Sequence, residues 1–375
     1  MPTPSEVREH CAASLQGAIG IASRTSAFIG LDGFVDEIIR VVDQRQSALD
    51  YVPMKTITDL GKRVLGAAQK STNIELVVER TKIGGNGPIM ANALAQLGIK
   101  VTYVGTLGYP NLHRVFHEFA HRAEVHSIAE PGHSDALEFH DGKIILGKLE
   151  PLKEVTWENL QLRFGREKFQ QRFNSCDLVG LVNWTMLPFM SEVWRSLLKE
   201  VCPIMNGPRR KIFFDLADPQ KRTVEDIRGA LELITQFEKY FDVILGLNEK
   251  EAYEIGEVMG FHCQKDSRDA LAAMSVQIQQ GLSIGTLVVH PVSYALAVSH
   301  GTVSMADGPY IPQPKITTGA GDHFNAGFCL GKLLNLDNVF SLNTGVSTSG
   351  FYVKEARSPA IDDLVHLLRD WPLPK

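Results

Sequence analysis

The sequence has few cysteines, and they form none of the patterns that mark a disulfide framework. The five cysteines are odd in number and scattered, without a CxxC pair, at positions 11, 176, 202, 263 and 329. This pattern favours a reduced, cytoplasmic protein over a disulfide-bonded scaffold. Residues 1–20 lack the apolar core of a signal peptide, and no apolar run in the chain reaches the length of a membrane span.

The sequence also lacks an excess of basic charge. Its formal net charge is −5 and its longest basic run is only Arg209-Arg210-Lys211, so neither a nucleic-acid-binding nor a membrane-binding surface is expected. The absence of a GxSxG elbow and of a Walker GxxxxGK motif leaves serine hydrolases and P-loop proteins without support. The 375 residues are 44% hydrophobic and 22% charged, an ordinary globular composition with ample material for a core.

The candidate chemistry is concentrated in the stretch Thr317-Thr318-Gly319-Ala320-Gly321-Asp322, which follows a strand-like run and precedes an apolar helical run from Phe324 to Leu334. Small residues at 319–321 leave backbone N–H groups uncovered at a helix start, where the helix dipole also favours anions. A carboxylate beside a bound phosphate is unfavourable unless it takes a proton from the attacking group. Asp322 is therefore a candidate general base for phosphoryl transfer to a hydroxyl. The alternative is a plain loop with a helix cap.

Two further segments place candidate ligand-binding residues at strand ends. The run Ser26–Leu31 is typical of a buried first strand and leads to Asp32 and Asp36, at the place where open α/β sheets bind ligands. A strand at 74–81 leads to Gly84-Gly85-Asn86 and then to a helical run. The two glycines permit close approach of the backbone to a ligand. The alternatives are a turn or strand-edge aspartate in the first segment and a simple turn in the second.

From about residue 157 the pattern alternates between helical stretches and short apolar runs. The apolar runs are Leu178–Val182, Lys211–Asp215, Val243–Leu247 and Thr286–His290. This alternation predicts right-handed βαβ crossovers and a parallel sheet covered by helices on both faces. The strands expected at 125–149 are polar on one side and contain the hairpin turn Asp141-Gly142. With residues 37–42 they predict a small separate sheet beside the main one.

A formal zinc motif, His117-Glu118-Phe119-Ala120-His121, lies in a helix predicted from Leu112 to Glu124. Two imidazoles four residues apart on one helix face, with His113 on the same stripe, would suit a zinc ion. Because no clear third-ligand motif follows, we interpret the segment as a solvated helix face.

The stretch from Thr317 to Asp322, together with Phe324 and Gly327, resembles the C-terminal signature of the ribokinase-like (PfkB) carbohydrate kinases. Residues 84–98 resemble the family's N-terminal signature, and residues 248–251 resemble its Asn-x-x-Glu motif. The resemblance covers nearly the whole chain. It implies a three-layer α/β/α fold in a single domain over residues 1–375, with a mostly parallel central sheet. It also implies a small β-sheet lid, with strands from about 36–45 and 125–150.

The resemblance also implies roles for individual residues. Asp322 would be the catalytic base, and the helix start that begins with Gly319 would be the anion hole, formed by the backbone amides of Ala320, Gly321 and Asp322. The residues expected to bind substrate are Asp36, Asp32, Gly84, Gly85 and Asn86. The residues expected near the nucleotide are Asn248 and Glu251, which would organise Mg²⁺ with Glu251 as the metal contact, and Asn343, which would lie beside the adenine.

Two positions depart from the family pattern. Ile89 stands where the family usually has an asparagine, and His290-Pro291 replaces a glycine-containing turn beside the nucleotide. The function implied is ATP-dependent phosphorylation of a hydroxyl on a sugar or sugar-like molecule, with Mg²⁺. ADP as the donor, a monovalent cation and a homodimer formed through the lid are left open. Two alternatives also stay open: a nucleoside kinase on the same fold, and an inactive sugar-binding or regulatory relative.

Overall fold

The strands of the protein form two separate sheets. The structure, a computed structural model, describes residues 2–262 and 267–373, so that Cys263 lies outside the described residues. The strands in this part of the chain are β1 (Ser26–Leu31), β2 (Phe34–Arg45), β3 (Tyr51–Pro53), β4 (Leu76–Gly84), β5 (Lys100–Gly105), β6 (Glu124–Ser127), β7 (Gly132–Phe139), β8 (Gly142–Lys148), β9 (Leu178–Leu181), β10 (Arg210–Asp215), β11 (Phe241–Leu247), β12 (Thr286–Val289), β13 (Tyr294–Ser299) and β14 (Thr302–Asp307).

The helices lie mainly between the strands. The α-helices of the described residues are α1 (Pro4–Gly17), α2 (Ile19–Ala22), α3 (Ile57–Gly66), α4 (Asn86–Gln96), α5 (His117–Ala120), α6 (Trp157–Asn159), α7 (Arg166–Ser175), α8 (Met190–Ser196), α9 (Val224–Phe237), α10 (Glu249–Val258), α11 (Arg268–Leu282), α12 (Ala320–Leu333), α13 (Asn338–Glu355) and α14 (Ile361–Arg369). Within the ranges that the structure covers, no helix is both long and apolar enough to span a membrane.

The larger sheet, called the main sheet below, is the centre of the fold. Its order over the described residues is β14-β13-β12-β11-β10-β9-β1-β5-β6. The strands from β12 to β6 are parallel, whereas β13 and β14 continue the sheet as an antiparallel edge. The prediction of a mostly parallel α/β sheet is confirmed.

Helices cover both faces of the main sheet, because alternate side chains of its strands are buried on opposite sides. In β1, Phe28 belongs to a core with residues of α7 to α11. Ala27 and Ile29 of the same strand belong to a second core with residues of α1, α4, α12, α13 and α14. The carboxyl ends of the parallel strands meet at one edge of this layered structure, where open α/β folds bind ligands.

The smaller sheet, called the lid below, packs its own small core. Its strands follow the order β3-β2-β7-β8, and β4 pairs with β2 as well. Ile39, Leu137 and Phe139 are buried in that core with residues of α3. The strands come from two separated stretches of chain, residues 34–84 and 132–148, joined by the parallel pairing of β2 with β7.

Three local predictions were wrong. The segment 125–128, assigned to the lid, forms β6, which pairs with β5 at the edge of the main sheet. The helix expected from Leu112 to Glu124 is reduced to a 3₁₀ turn, Arg114–Phe116, and the single turn α5. The strand expected just before Thr317 is absent, since residues 308–319 between β14 and α12 form no strand.

Candidate active site

The helix α12 begins in a way that exposes its first N–H groups. Gly319 is the cap residue, and its φ of 92° favours glycine. Its position next to the Tyr352 hydroxyl and the Ile89 side chain leaves little room for a larger residue. The Ala320 N–H donates to the carbonyl of Thr317 at 3.1 Å, whereas Gly321 and Asp322 lie in the first turn, where N–H groups have no intrahelical acceptor. An anion placed at this helix start would meet those two N–H groups.

Ile89, the departure from the family's asparagine, is a buried residue of α4 with 7% of its surface exposed. Its side chain lies beside the backbone of Gly319. The position therefore supports the loop before α12 through apolar packing and offers no polar group to a substrate.

The Asp322 side chain lies almost fully buried on the third residue of α12, with 8% of its surface exposed. Its Oδ1 accepts a hydrogen bond from Nδ2 of Asn86 at 2.9 Å. Burial raises the pKa of Asp322 to about 8; the Asn86 hydrogen bond and Lys82 lower it, and the neighbouring acids Asp32 and Asp36 raise it. A carboxylate with this pKa is a stronger base than an ordinary aspartate.

Asp32, which follows β1, is fully buried and holds other parts of the site in place. Its Oδ1 accepts from the backbone N–H of Gly87 at 2.9 Å and its Oδ2 from Nδ2 of Asn183 at 2.7 Å. The Tyr103 hydroxyl donates to the Asp32 carbonyl at 2.6 Å. Burial raises the pKa of Asp32 to about 6. These hydrogen bonds of Asp32 hold the turn at 84–87 in place. The role of Asp32 in binding substrate stays a prediction.

Asp36 on β2 is only partly buried and stands at the surface where the lid faces α12. It lies opposite Lys82 of β4 and Ser134 of β7 in the sheet. Burial raises its pKa, and Lys82, Ser134 and Lys143 counteract that rise. Because a Cβ atom on Gly84 would collide with the Asp36 carboxylate, glycine at 84 lets the turn approach Asp36 closely.

The lid also contributes cations that the sequence analysis did not identify. Lys82 is affected by the charges of both Asp36 and Asp322, and its pKa is lowered by burial. Lys143 of β8 lies with its Nζ atom 3.3 Å from the Thr318 hydroxyl, directly before α12. Arg80 and Lys82 are two residues apart on β4, and this spacing puts both side chains on one face of the strand. The spacing of these two basic residues in the sequence could have predicted a positively charged face of the lid.

Asn248 and Glu251 form a capping box at the start of α10. Glu251, 5% exposed, accepts from the backbone N–H of Asp218 at 2.7 Å and of Asn248 at 2.8 Å. Burial raises its pKa. Among the residues that the structure describes, no three His, Cys, Asp or Glu side chains are placed to hold a metal ion together. Glu251 fits a role in which it orients water on Mg²⁺, since this ion keeps several waters.

A cavity of about 720 Å³ lies between α10 and the segment after β12. Its lining includes Asn248, Lys250 and Tyr253 on one side and His290, Pro291 and Val292 on the other. The centroids of the His290 and Phe324 rings are 4.9 Å apart with the rings tilted by 35°, and the His290 ring lies 3.1 Å from the place of a Cβ on Gly321. Burial lowers the pKa of His290 to about 4, so the ring is neutral at neutral pH. The cavity therefore adjoins the start of α12 through His290.

Asn343, expected near adenine, does not line this cavity. Its Nδ2 donates to the carbonyl of Val339 one turn earlier in α13 at 2.8 Å, and it is 6% exposed. Its role beside the nucleotide stays a prediction.

Two buried asparagines that the sequence analysis did not identify support the acids. Asn325, one turn after Asp322 on α12, donates to Oδ2 of Asp215 at 2.9 Å. Burial and the charges of Glu251 and Asp322 raise the pKa of Asp215. Asn183 donates to Asp32 from a left-handed backbone conformation with φ of 59°. Such contacts depend on the fold and leave no pattern in the sequence.

The formal zinc motif is not arranged as a metal site. Glu118 pairs with Arg122, and Nδ1 of His113 accepts from the N–H of Val115 at 3.3 Å. His117 is the first residue of the single turn α5, and His121 is its C-terminal cap residue.

The fold and the site together define a class of protein. An acid at the start of a glycine-capped helix lies between a lid that carries Asp36 and a nucleotide-sized cavity, on a layered α/β fold. This is the architecture of a small-molecule kinase. The chain belongs to the prokaryotic ketohexokinase family, whose family model matches residues 6–371. A ketohexokinase from Haloferax volcanii is 27% identical over 367 residues, which are 97% of this chain and 96% of the relative.

Solved structures of low sequence identity share the fold. A carbohydrate kinase from Agrobacterium tumefaciens has a TM-score of 0.64 at 16% identity, covering 93% of this chain and 98% of its own. Arabidopsis thaliana ribokinase, complexed with ribose and ATP, has a TM-score of 0.64 at 14% identity, covering 92% and 98%. A nucleoside kinase from Methanocaldococcus jannaschii has a TM-score of 0.59 at 15% identity, covering 92% and 98%. The fold alone thus does not separate sugar from nucleoside kinases.

Family membership separates them. The protein is a carbohydrate kinase that phosphorylates a sugar, and the predicted ribokinase-like fold, family and enzyme class are confirmed.

Proposed function

We propose that the protein transfers the γ-phosphoryl group of ATP to a hydroxyl of a ketohexose, with Asp322 as the general base. The observation that carries the proposal is the position of Asp322, which lies at an anion-binding helix start with the lid acid Asp36 on one side and the cavity on the other. The ketohexose is suggested by the name of the family and of the Haloferax relative.

In the proposed reaction Asp322 takes the proton of the sugar hydroxyl as the hydroxyl oxygen attacks the γ-phosphorus. The bond from that phosphorus to the bridging oxygen of ADP breaks, so the products are the sugar phosphate and ADP. The N–H groups of Gly321 and Asp322, with Lys82 and Lys143 on the lid, would stabilise charge on the transferred group. Mg²⁺, when bound, would screen the phosphate charge, with Asn248 and Glu251 orienting its waters. A closed lid would exclude water that otherwise hydrolyses the donor.

The test is a coupled assay of nucleotide product across ketohexoses, aldohexoses, pentoses and nucleosides, each with ATP and with ADP as donor. We expect the highest kcat/KM for a ketohexose with ATP. A nucleoside as the preferred acceptor, or no turnover with any sugar, would contradict the proposal. Omission of K⁺ from the same assay tests the monovalent cation.

The pH dependence of kcat/KM follows from the pKa of Asp322. The ionised form is the base, and burial raises its pKa to about 8. Activity should therefore rise as pH increases from 6 to 9, about tenfold per pH unit on the acidic limb, with a midpoint near 8. The measurement is kcat/KM against pH, which reports the free enzyme. A flat profile over this range would show that the Asp322 carboxyl does not have to lose its proton.

Hydrogen exchange should show the lid closing on substrate. Lids belong to the less stable parts of a fold, so amides of β7 and β8 should exchange more slowly when a ketohexose is added. Strand β6 lies beside them in sequence but pairs within the main sheet, and it should not change. Equal exchange in β7 and β8 with and without sugar, or an equal slowing in β6, would count against a closing lid.

The association of two subunits through the lid and a cytoplasmic location also remain proposals. Ile145 on β8 is 58% exposed, and a second lid packed against this strand would cover it. Light scattering of wild type and of an Ile145→Glu variant would test the association.

A further inference from the structure

The starts of α4 and α12 lie against each other, and Asn86 connects them. Both helices have glycine as their cap residue, at 85 and 319, and neither cap makes a side-chain hydrogen bond. Asn86 is the first residue of α4, and its Nδ2 donates to Oδ1 of Asp322 at 2.9 Å. Its backbone N–H also interacts with the carboxylate of Asp32. One residue thus contacts two of the buried acids of the site.

The turn that carries Asn86 has little freedom to move. Gly85 has a φ of 91°, and a Cβ atom there would lie 2.7 Å from Oδ2 of Asp32. A Cβ on Gly87 would collide with both Asp32 and the Tyr103 hydroxyl. The N–H of Gly87 is held by Asp32 at 2.9 Å. The position of the Asn86 amide is therefore set before any substrate binds, as a positioning group requires.

The hydrogen bond has a chemical consequence for the base. An amide N–H donor stabilises a carboxylate over the neutral acid. It also occupies Oδ1, so Oδ2 is the oxygen left to meet the substrate hydroxyl. We infer that Asn86 is a positioning residue that favours the ionised form of the Asp322 carboxyl and directs its Oδ2 toward the acceptor hydroxyl. This inference rests on the proposed role of Asp322 as the base, and it differs from the substrate contact that the sequence predicts for Asn86.

The surroundings of Asp322 make this donor important. The charged groups that face it from neighbouring elements are Asp32 after β1, Asp36 on β2, Lys82 on β4 and Asp215 on β10, with Tyr352 of α13 nearby. Three of these groups are acids, whose negative charge disfavours ionisation of Asp322. Lys82 is the cation of this set, and its positive charge favours ionisation. Loss of the Asn86 donor would therefore leave a like-charged environment only partly balanced by Lys82.

The experiment compares the kcat–pH profiles of Asn86→Ala, Asn86→Asp and wild type on the preferred ketohexose, with chemistry shown to be rate-limiting. In the alanine variant we expect the acidic limb of kcat to move up by about one pH unit, because the ionised base has lost a hydrogen bond. On the alkaline plateau kcat should still be lower, by up to about 10²-fold, because the carboxylate is no longer oriented. The Asn86→Asp variant is isosteric but adds another acid beside Asp322. It should therefore move the acidic limb of kcat to a still higher pH than the alanine variant does.

The matched control is Asn92→Ala. Asn92 lies on the same helix and is partly buried, and its amide reaches Ser358 at 3.4 Å and accepts from Arg122 at 3.0 Å. Loss of the Asn92 amide should leave the pH of the acidic limb of kcat unchanged. Circular dichroism establishes that each variant is folded, and the isosteric aspartate variant keeps the test available if the alanine variant is unstable.

Two results would overturn the inference. The first would leave the proposed function intact, and the second would not. A raised sugar KM with an unchanged limb and plateau of kcat would assign Asn86 to sugar binding instead. An Asp322→Asn enzyme that remains active would overturn the proposed function itself and, with it, this inference.

Discussion

Asp322→Asn should fold normally, still bind nucleotide and lose kcat by roughly 10²–10⁴-fold, the usual range for a positioned acid–base group. The reason is that an amide accepts no proton at neutral pH, whereas it matches the carboxyl group in size and should preserve the packing at the start of α12. Phosphoryl transfer proceeds largely through a loose transition state, so the lower end of the range is expected. The measurement is kcat on the preferred sugar, with circular dichroism for folding and calorimetry for nucleotide binding.

The matched control is Asp226→Asn. Asp226 is the third residue of α9, as Asp322 is of α12, and its N–H is capped by Thr223. It lies on the surface, so its change should leave kcat within about twofold, as for ordinary surface sites. If the folded Asp322→Asn enzyme kept more than about a third of wild-type kcat, with chemistry rate-limiting, Asp322 would have only a structural role at the start of α12 and the proposed mechanism would fall.

Asp36→Ala should raise the KM for the sugar by about ten- to a hundredfold, corresponding to roughly 1.5–3 kcal/mol for a charged hydrogen bond. Asp36 faces the start of α12 from the lid, is partly buried and is balanced by Lys82. Removal of the carboxylate leaves a bound sugar hydroxyl without its acceptor and Lys82 without its partner. The KM for nucleotide should change much less, because the residues that line the cavity do not belong to the lid.

Asp43→Ala is the control for that experiment. Asp43 lies on the same strand and pairs with Arg63, away from the site. Its loss should leave both KM values close to wild type. A sugar KM unchanged in Asp36→Ala would remove Asp36 from the sugar site, and equal increases for sugar and nucleotide would point to a general disturbance of the lid.

The elements that sequence reasoning found are those whose pattern is dictated by burial. The strands β9 to β12 are buried on both faces, so they appear as continuous apolar runs. The start of α12 is marked by small residues with an acid directly after them, a combination with a clear physical use. These features placed Asp322, Asp32 and Asp36 at one edge of the sheet.

The failures have physical causes in particular residues. Strand β6 carries Glu124 and His126, which interact with Arg172 and Lys168 of α7, so an edge strand of the main sheet looks as polar as a lid strand. The helix expected at 112–124 is interrupted because the chain at 108–113 folds into a tight turn, in which the N–H of His113 donates to the Leu107 carbonyl at 2.8 Å. These contacts cannot be predicted from the periodicity of apolar and polar residues alone.

The partners of the acids were beyond sequence reasoning for another reason. Asn183 and Asn325 each reach an acid from a distant part of the chain, 151 and 110 residues away. One sequence carries no signal for such a pairing. The Asn86–Asp322 contact spans 236 residues in the same way, so the sequence placed Asn86 in the site without revealing its partner there.

The lid has a consequence for attempts to change which sugar the enzyme accepts by exchanging segments with a relative. Its strands are not one insertion, because residues 34–84 and 132–148 are separated along the chain by β5 and β6 of the main sheet. The two stretches meet where β2 pairs with β7, and this pairing sets Asp36 opposite Ser134. A chimera that takes only one stretch from a donor combines half of one proposed sugar-binding surface with half of another, joined by the pairing of β2 with β7. Specificity in this family should therefore transfer only when both stretches come from the same parent.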